Sequence, residues 1–203
     1  MEHIHSKEQT PADLFIAELR TATGPMHKAL EDNKISQKLM DPSVTISDYA
    51  FYLRCMSEVI KNFDEKVLPA ISEVITDSDQ RKKMADINTD LEFLYNHGAE
   101  NKPAASFEGF TGNESLAYAL GYAYVVEGST LGGRVILKQI AQVLPMDGGT
   151  RFFEGYGAET GSFWKNFMMH FTRYVLTTNT GEEAIKGAID GFSHIGQHFA
   201  KHD

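Results

Sequence analysis

Residues 118–138 read Tyr-Ala-Leu-Gly-Tyr-Ala-Tyr-Val-Val-Glu-Gly-Ser-Thr-Leu-Gly-Gly-Arg-Val-Ile-Leu-Lys. The pattern is helical, yet Gly128, Gly132 and Gly133 lie inside it. Each interior glycine costs about 1 kcal/mol relative to alanine. Three together imply that something needs close access to the backbone. Gly128 and Gly132 are four residues apart and share one face, which Ser129 and Gly133 extend. A flat object could lie against this bare patch. The spacing alone equally allows a close crossing with another helix. A phosphate loop fits poorly, because the Gly-Lys-Ser/Thr ending is missing and no strand precedes the run.

Outward from this stretch, helical periodicity dominates and alternating strand-like runs are almost absent, which predicts an all-α domain. Thr10-Pro11 opens the first helix, with Thr as cap and Pro at the first position. Leu14, Ile16, Ala17 and Leu19 form its stripe. Gly24-Pro25 is expected to break or kink the chain before helix resumes through His27 to about Asp32. Ser47 is expected to cap a long helix that stops before Pro69, and Asp77 to Tyr95 reads as another. A loop region runs from His97 to Gly112, and the most apolar segment from Glu114 to Leu144. After a turn at Asp147-Gly148-Gly149, two helices follow, over about 158–176 and 182–201. No repeat or linker stands out, so the expectation is a tail over 1–10 and one domain over 11–203.

Among 203 residues, 28 are acidic and 19 basic, a formal net charge of −9. That balance argues against nucleic acid or an anionic membrane as the main partner. A hydrophobic content of 42% with 23% charged residues suits a soluble globular protein. No stretch approaches the ~20 apolar residues of a membrane span, and the polar start of the chain gives no sign of a signal peptide. The expected location is cytoplasmic. A single cysteine, Cys55, excludes an intrachain disulfide and a cysteine-rich metal site. Cys55 reads as a small core residue.

Eight histidines offer candidate ligands. His27 sits between apolar Met26 and Leu30, with Glu31 one helical turn on. A carboxylate there accepts the proton of one ring nitrogen and leaves the other for a metal. The plainer alternative is a core histidine bonded to Glu31. Arg20, seven residues before His27, offers a bidentate anion contact. His194, His198 and His202 also follow helical spacing, but without the HExxH pattern, and the end of a helix suits such side chains in any case. His3, His5, His97 and His170 have no evident partner. No E-x-x-H pair repeats, so a di-iron bundle has no support.

Thr23-Gly-Pro-Met-His27-Lys-Ala-Leu-Glu31, followed about a hundred residues later by Tyr124-Val-Val-Glu127-Gly128-Ser129-Thr-Leu131-Gly132-Gly133, resembles the haem oxygenase family, and most closely its bacterial biliverdin-producing members. The similarity runs from about Leu14 to Phe199 and takes in Phe163-Trp164-Lys165-Asn166-Phe167 and Gly187-Ala-Ile-Asp-Gly-Phe192. The resemblance implies an all-α fold with haem between a proximal helix and a glycine-kinked distal helix. It implies His27 as iron ligand with Glu31 behind it. Gly128, Ser129, Gly132 and Gly133 would form the distal face. Arg20, Tyr124 and Lys138 would hold the propionates, and Phe167 and Phe192 would pack on the porphyrin. Haem would be both cofactor and substrate, opened by O2 with electrons from an external reductase or ferredoxin. Some family members carry aspartate where this chain has Ser129. Two other classes stay open: a haem carrier or sensor that does not degrade haem, and a thiaminase-like enzyme, for which Cys55 would be the only thiol. A basic rim of Arg20, Lys28 and Lys138 at one pocket edge is the expected exception to the acidic surface.

Overall fold

The computed structural model describes residues 9–202. Most of the expected tail, with His3 and His5, lies outside the described residues. Those residues form nine α-helices and no strand. They are α1 (Pro11–Glu31), α2 (Lys34–Met40), α3 (Ile46–Asn62), α4 (Leu68–Ile71), α5 (Met84–Asn96), α6 (Leu116–Val143), α7 (Arg151–Glu154), α8 (Thr160–Thr178) and α9 (Gly181–Ala200). No helix among them is long and apolar enough to cross a membrane.

The apolar run becomes α6, one continuous helix at the centre of the fold. Its most extensive neighbour is α9, and α2, α4, α7 and α8 pack around it. Glycine makes the α6–α9 crossing possible, at positions other than the three that the sequence singles out. A Cβ at Gly187 would fall 2.1 Å from the Tyr118 carbonyl oxygen, and one at Gly121 would fall 1.8 Å from that of Ala184. The backbones touch where no side chain fits.

Thr10 caps α1 as expected, and Asp13 completes a capping box: Asp13 N–H donates to Thr10 Oγ1, and Thr10 N–H to the Asp13 carboxylate. The break at Gly24-Pro25 does not occur, and α1 runs through Pro25 to Glu31. Pro25 deletes one backbone donor, but this turn is exposed, so water can satisfy the freed carbonyl. Burial of Phe15, Leu19 and Thr23 holds the helix against its neighbours, while Leu14 and Ala17 of the expected stripe face outward.

Thr45, rather than Ser47, caps α3, in a second capping box with Asp48. The Ser47 hydroxyl instead accepts the N–H of Glu100, 53 residues away. Beyond Asn62 the chain continues through a π-helical turn over Phe63–Val67 into α4. Pro69 follows the π-helical turn directly, inside the first turn of α4, and does not stop the helix. The helix expected over Asp77–Tyr95 is split into a 3₁₀ turn at Ser78–Arg81 and α5. Asp64 explains the split: its carboxylate accepts the N–H groups of Lys83, at 3.0 Å, and Met84, at 2.9 Å. Asp90 does the same for α7, taking the N–H groups of Arg151 and Phe152 at 3.0 and 2.8 Å. Burial pushes both carboxyls above the usual range even though these bonds favour the ionised form.

Gly187→Ala is expected to destabilise the fold by at least about 2 kcal/mol, as overpacking against backbone does, a fall of roughly 4–8 °C in Tm. Gly196→Ala, in the same helix with open space beyond its Cα, is expected to stabilise by about 0.5–1 kcal/mol. Thermal unfolding of the two variants followed by circular dichroism checks the contrast.

Candidate functional site

A cavity of about 600 Å³ opens between α1 and α6, a usual size for a cofactor or small-molecule site. His27 lines it from α1, and Gly128, Ser129, Gly132 and Gly133 line it from α6. Helical spacing predicted this shared face. Trp164 of α8 and Phe192 of α9 close the sides.

His27 is not packed in the core. Its side chain is 61% exposed, as is that of Glu31. Nδ1 stands 3.6 Å from Glu31 Oε1, beyond hydrogen-bond reach but close enough to orient the ring. The Phe192 ring meets the imidazole edge-on, 5.7 Å between centroids.

Opposite, the glycines differ. Beyond Gly132 a Cβ would meet open space. At Gly128 it would lie 3.5 Å from the Trp164 ring, an ordinary contact. At Gly133 it would press to 3.0 Å from the Phe153 carbonyl oxygen, so this glycine also serves packing against α7. Ser129 donates its hydroxyl to the Val126 carbonyl at 2.7 Å. Glu127 and Arg134 point away from the cavity, as helical phase requires: Glu127 is buried behind α6, and Arg134 donates to the Gly157 carbonyl.

The other sequence-derived residues divide. Arg20 and Tyr124 line the cavity. Arg20 is exposed and has no ion pair among the described residues, and Tyr124 packs on Trp164. Phe167 is fully buried between Trp164 and Phe171, one layer behind the wall. Lys138 is exposed and outside the wall, and Lys28 pairs with Asp32 at 2.5 Å on the outer side of α1. Of the three cations expected at the edge, Arg20 alone lines the cavity.

Two contributors went unassigned in the sequence. Trp164, the only tryptophan in the chain, faces Gly128, and its rarity beside a phenylalanine was the available signal. The second is a buried charge network centred on Glu127, whose member Lys83 also reaches the cavity wall. Glu127 Oε2 accepts from Arg81 Nη1 at 2.5 Å, and Oε1 accepts from Lys83 Nζ at 3.0 Å and from the Tyr156 hydroxyl at 2.7 Å. Arg81 forks onto Asp77 with two bonds of 2.8 Å. Lys83 also donates to the Arg81 carbonyl and the Tyr156 hydroxyl, which uses all three of its N–H groups. Burial pulls the Lys83 ammonium below its usual value against the opposing pull of Glu127. Burial and the Glu127 charge push Tyr156 well above the ordinary phenol range, so it stays a donor. Asp77 and Arg81 have i,i+4 spacing, but no spacing announces Glu127 as the partner of Arg81 and Lys83.

Cys55 is buried in α3 and does not line the cavity. Burial pushes its thiol up to about 12, which leaves no thiolate nucleophile.

A family model for heme oxygenase matches residues 13–201. Solved structures share the fold. The heme oxygenase of Neisseria meningitidis, with NO and CO bound, is 25% identical at a TM-score of 0.74, covering 92% of this chain and 90% of that one. Heme oxygenase-1 of the cyanobacterium Synechocystis, in complex with heme, is 18% identical at 0.74 over 92% and 91%. That of Leptospira interrogans is 16% identical at 0.71 over 92% and 98%. No curated protein sequence matches at a significant level.

Glu127→Ala is expected to strand two buried cations and cost about 3–5 kcal/mol. Arg134→Ala, at an exposed single bond, is expected to cost less than about 1 kcal/mol. Urea unfolding midpoints separate the two.

Proposed function

The chain belongs to the haem oxygenase family, and on that footing we propose that it binds haem between His27 and the glycine face of α6 and opens the ring to biliverdin, with release of iron and carbon monoxide. The observation that carries the reading is the placement of His27 and Gly132 on the walls of one cavity, with open space beyond Gly132.

The residues present fit haem. The cavity offers the His27 imidazole, glycine backbone opposite, aromatic side walls at Trp164 and Phe192, and the Arg20 guanidinium, which has no ion pair among the described residues. Because Nδ1 is the nitrogen beside Glu31, Nε2 is the one that would hold iron, with Glu31 placed to orient the ring. Arg20 and the Tyr124 hydroxyl are the polar groups available to propionates. Haem supplies both the iron that activates O2 and the ring that is cut.

The chain's contribution is what it keeps away from the oxygen. Gly128 and Gly132 put no side chain into the cavity on the side facing His27, and beyond Gly132 the space is open. Ser129 gives its hydroxyl hydrogen to Val126. Lys83, also on the wall, has all its donors engaged. Neither side chain therefore has a hydrogen free to donate into the cavity, and distal polarity of this kind would govern whether haem stores or activates oxygen. Electrons come from an external donor protein, a reductase or a ferredoxin, in the cytoplasm.

Mixed with haemin and a reductant in air, the protein is expected to lose its Soret band as bilin absorption grows and carbon monoxide is released. A stable Soret band without bilin would identify the carrier or sensor reading instead. His27→Ala is expected to weaken haem binding by tenfold or more, and Glu31→Gln by about tenfold, both read by titration of the Soret band.

A further inference from the structure

Away from the cavity, where the end of α9 meets α3, Cys55 Sγ and one ring nitrogen each of His198 and His202 lie within 4.8 Å of one another. We infer that these three side chains form a zinc site of one thiolate and two imidazoles, independent of haem.

The state of His198 points to a ligand. The residue is 1% exposed, and Nε2 lies 3.0 Å from the Cys55 carbonyl oxygen. A carbonyl only accepts, so Nε2 carries the hydrogen and Nδ1 presents a lone pair. Nδ1 is buried and has no hydrogen-bond partner. A buried polar atom is rarely left so, because the loss of water goes uncompensated. One nitrogen donating to a backbone carbonyl while the other stays bare is how metal-ligating histidines are held.

His202 completes the set. It is half-buried, and its Nε2 accepts from the Ala105 N–H at 3.2 Å, so this ring also has an unprotonated nitrogen. It sits just past the end of α9, where the ring can exchange that bond for a metal. His194, the first of the spaced row, is not part of the set: it contacts the Tyr122 hydroxyl at 3.3 Å.

A thiolate with two imidazoles suits zinc and disfavours magnesium or calcium, which take oxygen ligands. On binding, the Cys55 S–H proton leaves to solvent, both histidines bind neutral, and a water fills the fourth position. No oxidant or reductant is involved. The ion would pin the C-terminal end of α9 to α3.

The test uses the full-length haem-free protein with Co²⁺ alone as probe, followed by Zn²⁺. Because Cys55 is the only cysteine, a thiolate-to-cobalt charge-transfer band in the near ultraviolet can arise only here. Expected are that band with four-coordinate d–d absorption, its bleaching by one equivalent of Zn²⁺, and a Tm that rises with Zn²⁺. His202→Ala, at a half-buried position just past the end of α9, is expected to weaken Co²⁺ affinity at least tenfold while haem binding through His27 is unchanged. Cys55→Ser is expected to abolish the band. Absence of the band in the wild-type protein, or a wild-type affinity in His202→Ala, would overturn the site. The His202 variant decides the matter even if Cys55→Ser fails to fold.

Discussion

The Glu127 carboxylate, taken fully out of water, is tolerable only while Arg81 and Lys83 stay against it. Much of the architecture follows. The two cations come from the stretch between the π-helical turn and α5, which must leave the helical path to deliver them. Asp64 makes that departure possible by accepting the amides of Lys83 and Met84. Tyr156, from the turn between α7 and α8, donates to the same carboxylate. One buried charge thereby ties two distant segments to the residue preceding Gly128. With Glu127 fixed behind the helix, the glycine face of α6 must look into the cavity, because helical phase leaves no other orientation.

The glycines of α6 answer to two separate demands. Gly121 meets α9 backbone to backbone, reciprocated by Gly187, and this close approach gives the helix pair its largest contact. A Cβ at Gly132, eleven residues on, would meet open space, and one at Gly128 would meet only the Trp164 ring. A glycine-rich helix can therefore serve as a packing surface at one end and as bare backbone at the other. The close crossing that the spacing allowed occurs at Gly121 and Gly187, while Gly128 and Gly132 line the cavity.

Histidines show where spacing informs and where it does not. His27 and Glu31 are one turn apart on one helix, so their pairing is written into the sequence. His198 owes its state to the Cys55 carbonyl, 143 residues away, and the regular row from His194 to His202 says nothing of it. The row is split by packing: one member turns to Tyr122, the others toward Cys55. Pro25 and Pro69 give the same lesson for the backbone. A break or kink is expected at Pro25 and a stop at Pro69, and each is carried within helix.

By itself the sequence determined the all-α class, the central helix, the Thr10 cap, the face shared by Gly128 and Gly132, and the His27–Glu31 pair. All of these arise from interactions within a turn or two of helix, whose geometry the residue spacing fixes in advance. Only the tertiary structure decided the caps donated by Asp64 and Asp90, the partners of Glu127, the place of Trp164 opposite Gly128, the exclusion of Lys138 from the cavity wall, and the meeting of Cys55 with His198. Those depend on which helix faces approach one another, and the approach is set by the summed burial of side chains far apart in the chain, which no local pattern records.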